Sequence, residues 1–279
     1  MSTCLLCAGT RCRPVFGESG TTILRCRDCR HVFSSYAGDP HYDGFWGDEV
    51  EPGAHLYWSR ARGRMHEGFV NRFVRGRSGR LLDMGCGLGF FVQVVSRQPG
   101  WEAFGCEISE PAVRHARDTL KQQVVCARLE DAPWSPTSFD VITMWDVLDH
   151  ILAPDPLLRR CHALLKDDGL FFIRTPNISI HLPRARVRKL LSGEQAAVGF
   201  LQPRDHFHHY SPLTLRRLLE RNGFSRISFL HLRPIDSDSE KPGLGGRLAR
   251  SLWFHGARGL DAVSGGHLNF DNLYVAAQK

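Results

Sequence analysis

The spacing of apolar and polar positions changes character near residue 80. Beyond it, short apolar runs alternate with stretches of helical period, as expected of a sheet fed by crossover helices. Arg80–Met84 is a compact apolar run and predicts a strand. It ends in Gly85-Cys86-Gly87-Leu88-Gly89, and Phe90–Arg97 reads as the helix that follows. Trp101–Cys106 predicts a second strand closing on Glu107. Ser109 is then placed to cap the next helix, with Pro111 in its first turn. Ser211-Pro212 opens a helix running through Glu220 to Gly223.

The first 35 residues follow a different logic. Cys4-x2-Cys7 and Cys26-x2-Cys29 are separated by 18 residues, and Val15–Leu24 between them reads as a short hairpin with Gly17 and Gly20. Two such knuckles present four thiolates, enough for a closed tetrahedral zinc shell that is structural and leaves no open position. A segment this short buries too little apolar surface to fold unaided, so metal binding would supply its folding free energy. Cys12 and His31 are alternative ligands, but the symmetric set Cys4, Cys7, Cys26 and Cys29 is preferred. Residues 36–79 are expected to form a Gly-, Pro- and aromatic-rich linker and an N-terminal helical lid, and residues 80–279 the main domain.

Composition narrows the class without choosing a function. The 279 residues are 42% hydrophobic and 23% charged, which suits one large globular domain with a small appendage. No apolar run approaches the roughly 20 residues of a membrane span. The N-terminus lacks a basic, then apolar, secretory pattern, and five of nine cysteines crowd into the first 29 residues. Both point to reduced thiols and a cytoplasmic protein. A net charge of +7 favours anionic partners. Arginines at 60–64 and 72–80 are read as solvated helix faces, and the group 184–189 as the functional one.

A strand, a glycine-rich turn and a helix N-terminus in that order suit a nucleotide-like ligand. Glu107, 18 residues past Gly89, is placed to accept hydrogen bonds from ribose hydroxyls. In combination these residues resemble the class I S-adenosylmethionine-dependent methyltransferases. Leu81–Gly89 is similar to their first motif and Phe139–His150 to their fourth-strand motif. Leu164–Ile173 followed by Thr175-Pro176-Asn177 is similar to their fifth-strand region, and Asn272–Ala277 to their last strand.

The resemblance implies a Rossmann-like, doubly wound α/β fold: a seven-stranded sheet in parallel order plus one antiparallel edge strand, preceded by the zinc-ribbon. It implies S-adenosylmethionine as methyl donor. Asp83 and the turn residues Gly85, Cys86 and Gly87 would hold its methionine end, Glu107 the ribose, and Trp145 and Asp146 would lie near the sulfonium. Where many relatives have an aspartate for the adenine amino group this chain has Arg128, so that contact is expected from Glu130, Asp131 or the backbone near Leu129.

Two clusters are candidates for chemistry at the acceptor. Asp146, Asp149 and His150, at i, i+3 and i+4, would share one face of a helical turn. They resemble the Glu-x-x-Glu-His segment of ubiquinone-biosynthesis O-methyltransferases, where such residues can bind a divalent metal, although both glutamates here are aspartates. The second cluster is His206, His208 and His209, with His206 the candidate base. Insertions at about 178–204 and 234–266, basic and aromatic, suit an anionic acceptor. The leading expectation is O- or C-methylation of a small polar metabolite, such as a nucleotide-linked sugar or a secondary-metabolite precursor. An RNA methyltransferase gripping RNA through the ribbon, and an inactive scaffold, are the alternatives.

Overall fold

In a computed structural model of the chain, the described residues are 3–38, 59, 61–193, 198–232 and 272–279, with isolated positions 256, 259 and 263. The expected linker of 36–56 and the 234–266 insertion fall almost wholly outside them.

The main sheet has seven strands. Four follow the glycine-turn half of the chain: β4 (Gly79–Met84), β5 (Trp101–Glu107), β6 (Gln123–Cys126) and β7 (Phe139–Trp145). β8 (Leu165–Pro176), β10 (Ser225–Leu230) and β11 (Asn272–Gln278) complete it, in the spatial order β10-β11-β8-β7-β4-β5-β6. Strands β4 to β8 pair in parallel and are near-continuously apolar, because helices cover both faces. The antiparallel strand is β11, and it does not sit at the edge as expected. It lies between β8 and β10, pairing with both, so β10 forms the edge. Leu273, Val275 and Ala277 are buried there, which an edge position would not achieve.

Helices α1 (Gly63–Phe69, continuing as a wide π-turn through Val74), α2 (Phe90–Ser96) and α3 (Glu110–Arg114) pack on one side. Met65, Phe69, Phe91, Val92 and Val113 join Leu81 and Trp145 in one apolar cluster. On the other side lie α4 (Pro154–Leu164) and, after α5 (Ile178–Ser192), α6 (Pro212–Arg221). Leu157, Cys161, Leu215 and Leu218 fill that core against Leu82 and Ile142. Ser211 caps α6 through a reciprocal bond with Thr214, as its position before Pro212 implies.

The N-terminal segment forms the expected hairpin, slightly longer than read: β1 (Cys12–Glu18) and β2 (Thr21–Cys26), followed by β3 (Val32–Ser34). Ser19 and Gly20 both have positive φ, 52° and 73°, as a tight two-residue hairpin turn demands. This small sheet gains a fourth strand from far along the chain. β9 (His208–His209) pairs antiparallel with β3, Val32 opposite His209 and Phe33 opposite His208. Alternate residues of the ribbon then enter two cores. Ile23 and Val32 pack with Ile178, Leu182 and Ala185 of α5, while Leu24 and Phe33 join the main core beside Tyr210.

The basic residues of α5 serve this junction. Arg186 and Lys189 donate to the carbonyls of Val15 and Gly17, Arg188 donates to that of Val198, and Arg184 lies over Phe200. The group 184–189, read from sequence as the functional basic patch, is thus tied largely to the ribbon and its covering loop. Glu18, buried, accepts from the backbone N–H groups of Val198 and Gly199 at 2.7 Å each. Removing a buried acceptor strands both donors, at about 1–3 kcal/mol. Glu18→Ala is therefore expected to lower the free energy of unfolding by that amount, seen as a lower urea midpoint at unchanged slope. An unchanged midpoint would show that water replaces the carboxylate without cost.

Candidate functional site

A cavity of about 710 Å³ opens at the carboxyl ends of β4, β5, β7 and β8. It lies where β4 leads to β5 on one side and β7 leads to β8 on the other, the switch point at which open α/β sheets bind ligands.

The glycine turn forms its floor. Gly85 (φ 74°) and Gly89 (φ 81°) occupy left-handed backbone. A Cβ on Gly85 would lie 2.5 Å from Val147 Cγ2, and one on Gly89 2.7 Å from the Ala116 Cβ. Both glycines are therefore demanded by the turn's own packing before any ligand arrives. Glu107 locks onto this turn. Its Oε2 accepts from Gly87 N at 2.8 Å, and its Oε1 from Ile108 N at 2.8 Å and Ser109 N at 3.0 Å. The sequence reading gave Ser109 the capping role. Ser109 does occupy the N-cap position, but its hydroxyl is buried without a partner among the described residues, and Glu107 holds the two amides just before the helix, those of Ile108 and Ser109.

Asp83, 2% exposed, accepts from Thr143 Oγ1 at 2.7 Å. Burial pushes its pKa up to about 7, with the Thr143 bond and the Arg62 charge pulling the other way. Cys86, Glu130, Leu129 and Arg128 line the cavity, as do Gly85, Gly87 and Glu107. Asp131 is exposed and absent from the lining. Trp145 sits at the end of β7, its ring ringed by His66, Phe69, Phe91 and Phe172.

The expected face of Asp146, Asp149 and His150 does not form. Asp146 adopts positive φ, 58°, and the following 3-10 turn starts only at Leu148. The break turns Asp146 to a different set of partners, Arg62 of the lead-in to α1 and Arg174 of β8. Burial alone would raise the Asp146 pKa, but the two guanidiniums outweigh it and hold the carboxyl below its ordinary value. Neither arginine was singled out from sequence. Arg62 was grouped with solvated helix faces, yet it is 4% exposed at the cavity wall. Arg174 carried a usable signal: an arginine interrupting the apolar run Leu170–Ile173 just before Thr175.

Asp149 and His150 instead meet His206. Asp149 Oδ2 lies 3.4 Å from His206 Nε2 and 3.8 Å from His150 Nε2, and the two imidazoles are 4.6 Å apart. Both Asp149 oxygens are buried with no hydrogen-bond partner among the described residues. Burial lowers the His206 pKa, and Asp149 partly restores it. His208 and His209 do not join this group. They form β9, and His208 is bonded to His31 and to the Leu152 carbonyl.

In the ribbon, Cys4, Cys7, Cys26 and Cys29 place their sulfurs within 4.8 Å of one another. The pairs Cys4–Cys29 and Cys7–Cys26 are 3.6 and 3.7 Å apart. A tetrahedron with metal–sulfur bonds of about 2.3 Å has edges of about 3.8 Å, whereas a disulfide needs about 2.05 Å. The donor set fits a tetrahedral cation. Cys12, which bonds to the Gly9 carbonyl, and His31, which bonds to His208, lie outside this group of four.

Fold and cavity together define a Rossmann-like α/β protein with an open cavity at its switch point. A family model described as a methyltransferase domain matches residues 57–228, and the chain belongs to that family. It is 32% identical over 111 residues to a ubiquinone biosynthesis O-methyltransferase of Neisseria meningitidis serogroup C, covering 37% of this chain and 46% of that one. The corresponding enzyme of Coxiella burnetii is 26% identical over 180 residues, 61% and 74% of the two chains. The chain thus spans about half the length of the first curated relatives it matches. The same fold is found in a structure from Thermotoga maritima described as a possible histamine N-methyltransferase (TM-score 0.52, 17% identity, 81% and 94% coverage).

Asp83 gives the site a pH signature. Its folded pKa is raised, so between 3.8 and about 7 the folded chain retains a proton that the unfolded chain has lost. The sign follows: this group's contribution to stability is undiminished below that window and falls as pH rises through it. Asp83→Asn is expected to remove the decline, so urea midpoints of the two proteins should diverge in favour of the variant towards pH 7. Parallel profiles would mean that Asp83 is ionised throughout.

Proposed function

We propose that the chain transfers a methyl group from S-adenosylmethionine to an oxygen or carbon atom of a small polar metabolite, with the Asp149–His206 pair as the proton acceptor. One observation carries this reading: a single cavity joins the glycine turn and Glu107 at one end to Asp149, His150 and His206 at the other. Donor and acceptor can therefore meet in one cavity.

The residues present fit the donor. Asp83 is a buried carboxyl raised in pKa for want of enough positive charge, and the ammonium of a methionine moiety would supply it. Gly85, Cys86 and Gly87 would lie along that moiety, Glu107 would accept from the ribose hydroxyls, and Glu130 would face the adenine amino group. When bound, the donor supplies an electrophilic methyl carbon on a sulfonium. Trp145 would offer an aromatic surface tolerant of that charge. Asp146, held by Arg62 and Arg174, fixes the wall beside it.

For a hydroxyl acceptor, His206 is the base. Its lowered pKa keeps the imidazole neutral, hence able to take a proton, at neutral pH. Asp149 at 3.4 Å would stabilise the imidazolium as it forms, the role of the carboxylate in any His–Asp pair. His150 presents its Nδ1 to the Asp205 carbonyl at 2.9 Å, which makes that nitrogen the N–H donor and leaves Nε2 turned towards Asp149. The four ribbon cysteines would hold a structural zinc ion.

A second reading of the acceptor end is favoured by the two unpartnered Asp149 oxygens: a divalent cation held by Asp149, His150 and His206. It predicts that magnesium or manganese restores turnover to protein stripped of weakly held metal, which a purely basic His206 does not require.

Titration calorimetry with S-adenosylhomocysteine tests the donor half: micromolar binding that Glu107→Ala abolishes is the expected result. No binding by folded, zinc-loaded protein would end the enzyme reading. For the acceptor half, His206→Ala should lower kcat by about 10²–10⁴-fold while S-adenosylhomocysteine affinity is unchanged. Wild-type kcat should hold level from neutral pH to below pH 6.5 before falling, because the folded His206 pKa lies below that ordinary value.

A further inference from the structure

Among the described residues, the ribbon's strand pairing with the rest of the molecule falls beside the acceptor end of the cavity. β3 begins three residues after Cys29, and its ladder partner β9 begins two residues after His206. Ser34 extends the ladder: its N–H donates to the Phe207 carbonyl at 2.9 Å, and its hydroxyl donates to the Pro203 carbonyl. Segment 203–209 is thus sewn along its length to the residues that follow the second cysteine knuckle.

A buried chain of hydrogen bonds runs inward from the same place. His208 Nε2 lies 3.1 Å from the Leu152 carbonyl, which can only accept, so this nitrogen carries the proton. Burial pushes the His208 pKa down to about 4, and its Nδ1 is then a bare acceptor. His31 Nε2, 2.9 Å away, must be the donor. His31 is fully buried and also packs against Tyr210. Leu152 lies two residues beyond His150, and His208 two residues beyond His206. One chain, His31 to His208 to Leu152, therefore spans the two loops that carry the Asp149–His150–His206 group.

We propose that His31 and β3 are positioning elements for His206, so that metal bound by the four ribbon cysteines sets the acceptor half of the site without touching either substrate. The catalytic meaning rests on the reading of His206 given above. The structural claim is independent of it. Among the described residues the donor half, built on β4, β5 and β7, has no strand pairing with the ribbon, and it should not respond.

The experiment uses full-length, metal-loaded protein, the same protein stripped with a strong chelator, and two variants. His31→Phe keeps the volume and loses the donor; His31→Gln keeps a donor. Backbone hydrogen exchange is followed at 206–209 and in β4 and β5, together with the rate at which diethyl pyrocarbonate labels His206 and the affinity for S-adenosylhomocysteine. Metal removal and His31→Phe are each expected to speed exchange at 206–209 by about tenfold or more, as for a locally opened segment. Each should also expose His206 to the reagent, while β4, β5 and S-adenosylhomocysteine binding stay as they were, and His31→Gln should restore most of the protection. Unchanged exchange and labelling at 206–209 in metal-free protein would overturn the proposal. So would equal loss of protection in β4 and β5, which would make the metal a support of the whole fold. If S-adenosylhomocysteine fails to bind the intact protein, the proposed function falls, and exchange at 206–209 still decides whether the ribbon orders that segment.

Discussion

The parallel ladder between β4 and β7 is the constraint on which the rest of the structure depends. Leu81, Leu82 and Asp83 pair with Val141, Ile142 and Thr143, and from this seam the chain departs to opposite sides of the sheet. Crossover helices cover both faces of a parallel sheet, so its strand ends are the places left open for a ligand. The last ladder pair is also the first polar one, with the Thr143 hydroxyl donating to the Asp83 carboxyl. The seam therefore fixes the depth of the cavity and the placement of its first charged group together. The glycine turn follows directly from β4, and Glu107 closes it from the neighbouring strand by holding the Gly87 amide.

A buried cluster of charges stiffens the wall above that seam. Arg62 and Arg174 converge on Asp146, and beside them Trp145 packs edge-on against His66, Phe69 and Phe91. Burial and the two neighbouring guanidiniums push the His66 pKa down to about 3, so it enters this packing as a neutral aromatic ring. Desolvating two guanidiniums for one carboxylate gains little net stability, and such groups are better understood as fixing one arrangement of α1, β7 and β8. The positive φ at Asp146 belongs to the same device. It turns the carboxylate back to the arginines and leaves the next turn free to deliver Asp149 and His150 to the acceptor end.

The half of the cavity formed by the glycine turn and Glu107 was legible as a cluster because it is local. Its strands are largely apolar runs, and its glycines and Glu107 follow one another within 23 residues, from Gly85 to Glu107. The half around Asp149, His150 and His206 was legible only in part, because its geometry is set by pairs far apart in sequence. Helical spacing grouped Asp146 with Asp149 and His150, but a single left-handed residue broke the face. Three histidines in four positions suggested one function; strand alternation and the pairing of β9 gave them separate ones. Arg62 and Asp146 are 84 residues apart and His31 and His208 are 177 apart, distances over which periodicity carries no information. The place of β11 inside the sheet was hidden for the same reason, since an apolar strand reads alike at either position.

The ribbon's size explains why it is built onto the main domain. A 35-residue segment buries too little to hold a fixed orientation alone, even with its cysteines closed on a metal. It gains the missing surface by giving Ile23 and Val32 to α5 and Leu24 and Phe33 to the main core, and by taking β9 as a fourth strand. The exchange is mutual. A two-residue strand such as β9 has almost no stability of its own, and β3 is the only strand it pairs with among the described residues. Free energy released when the knuckles close on a metal would therefore be shared with the segment that carries His206, and a module that looks separable in sequence supports that segment of the cavity lining from behind.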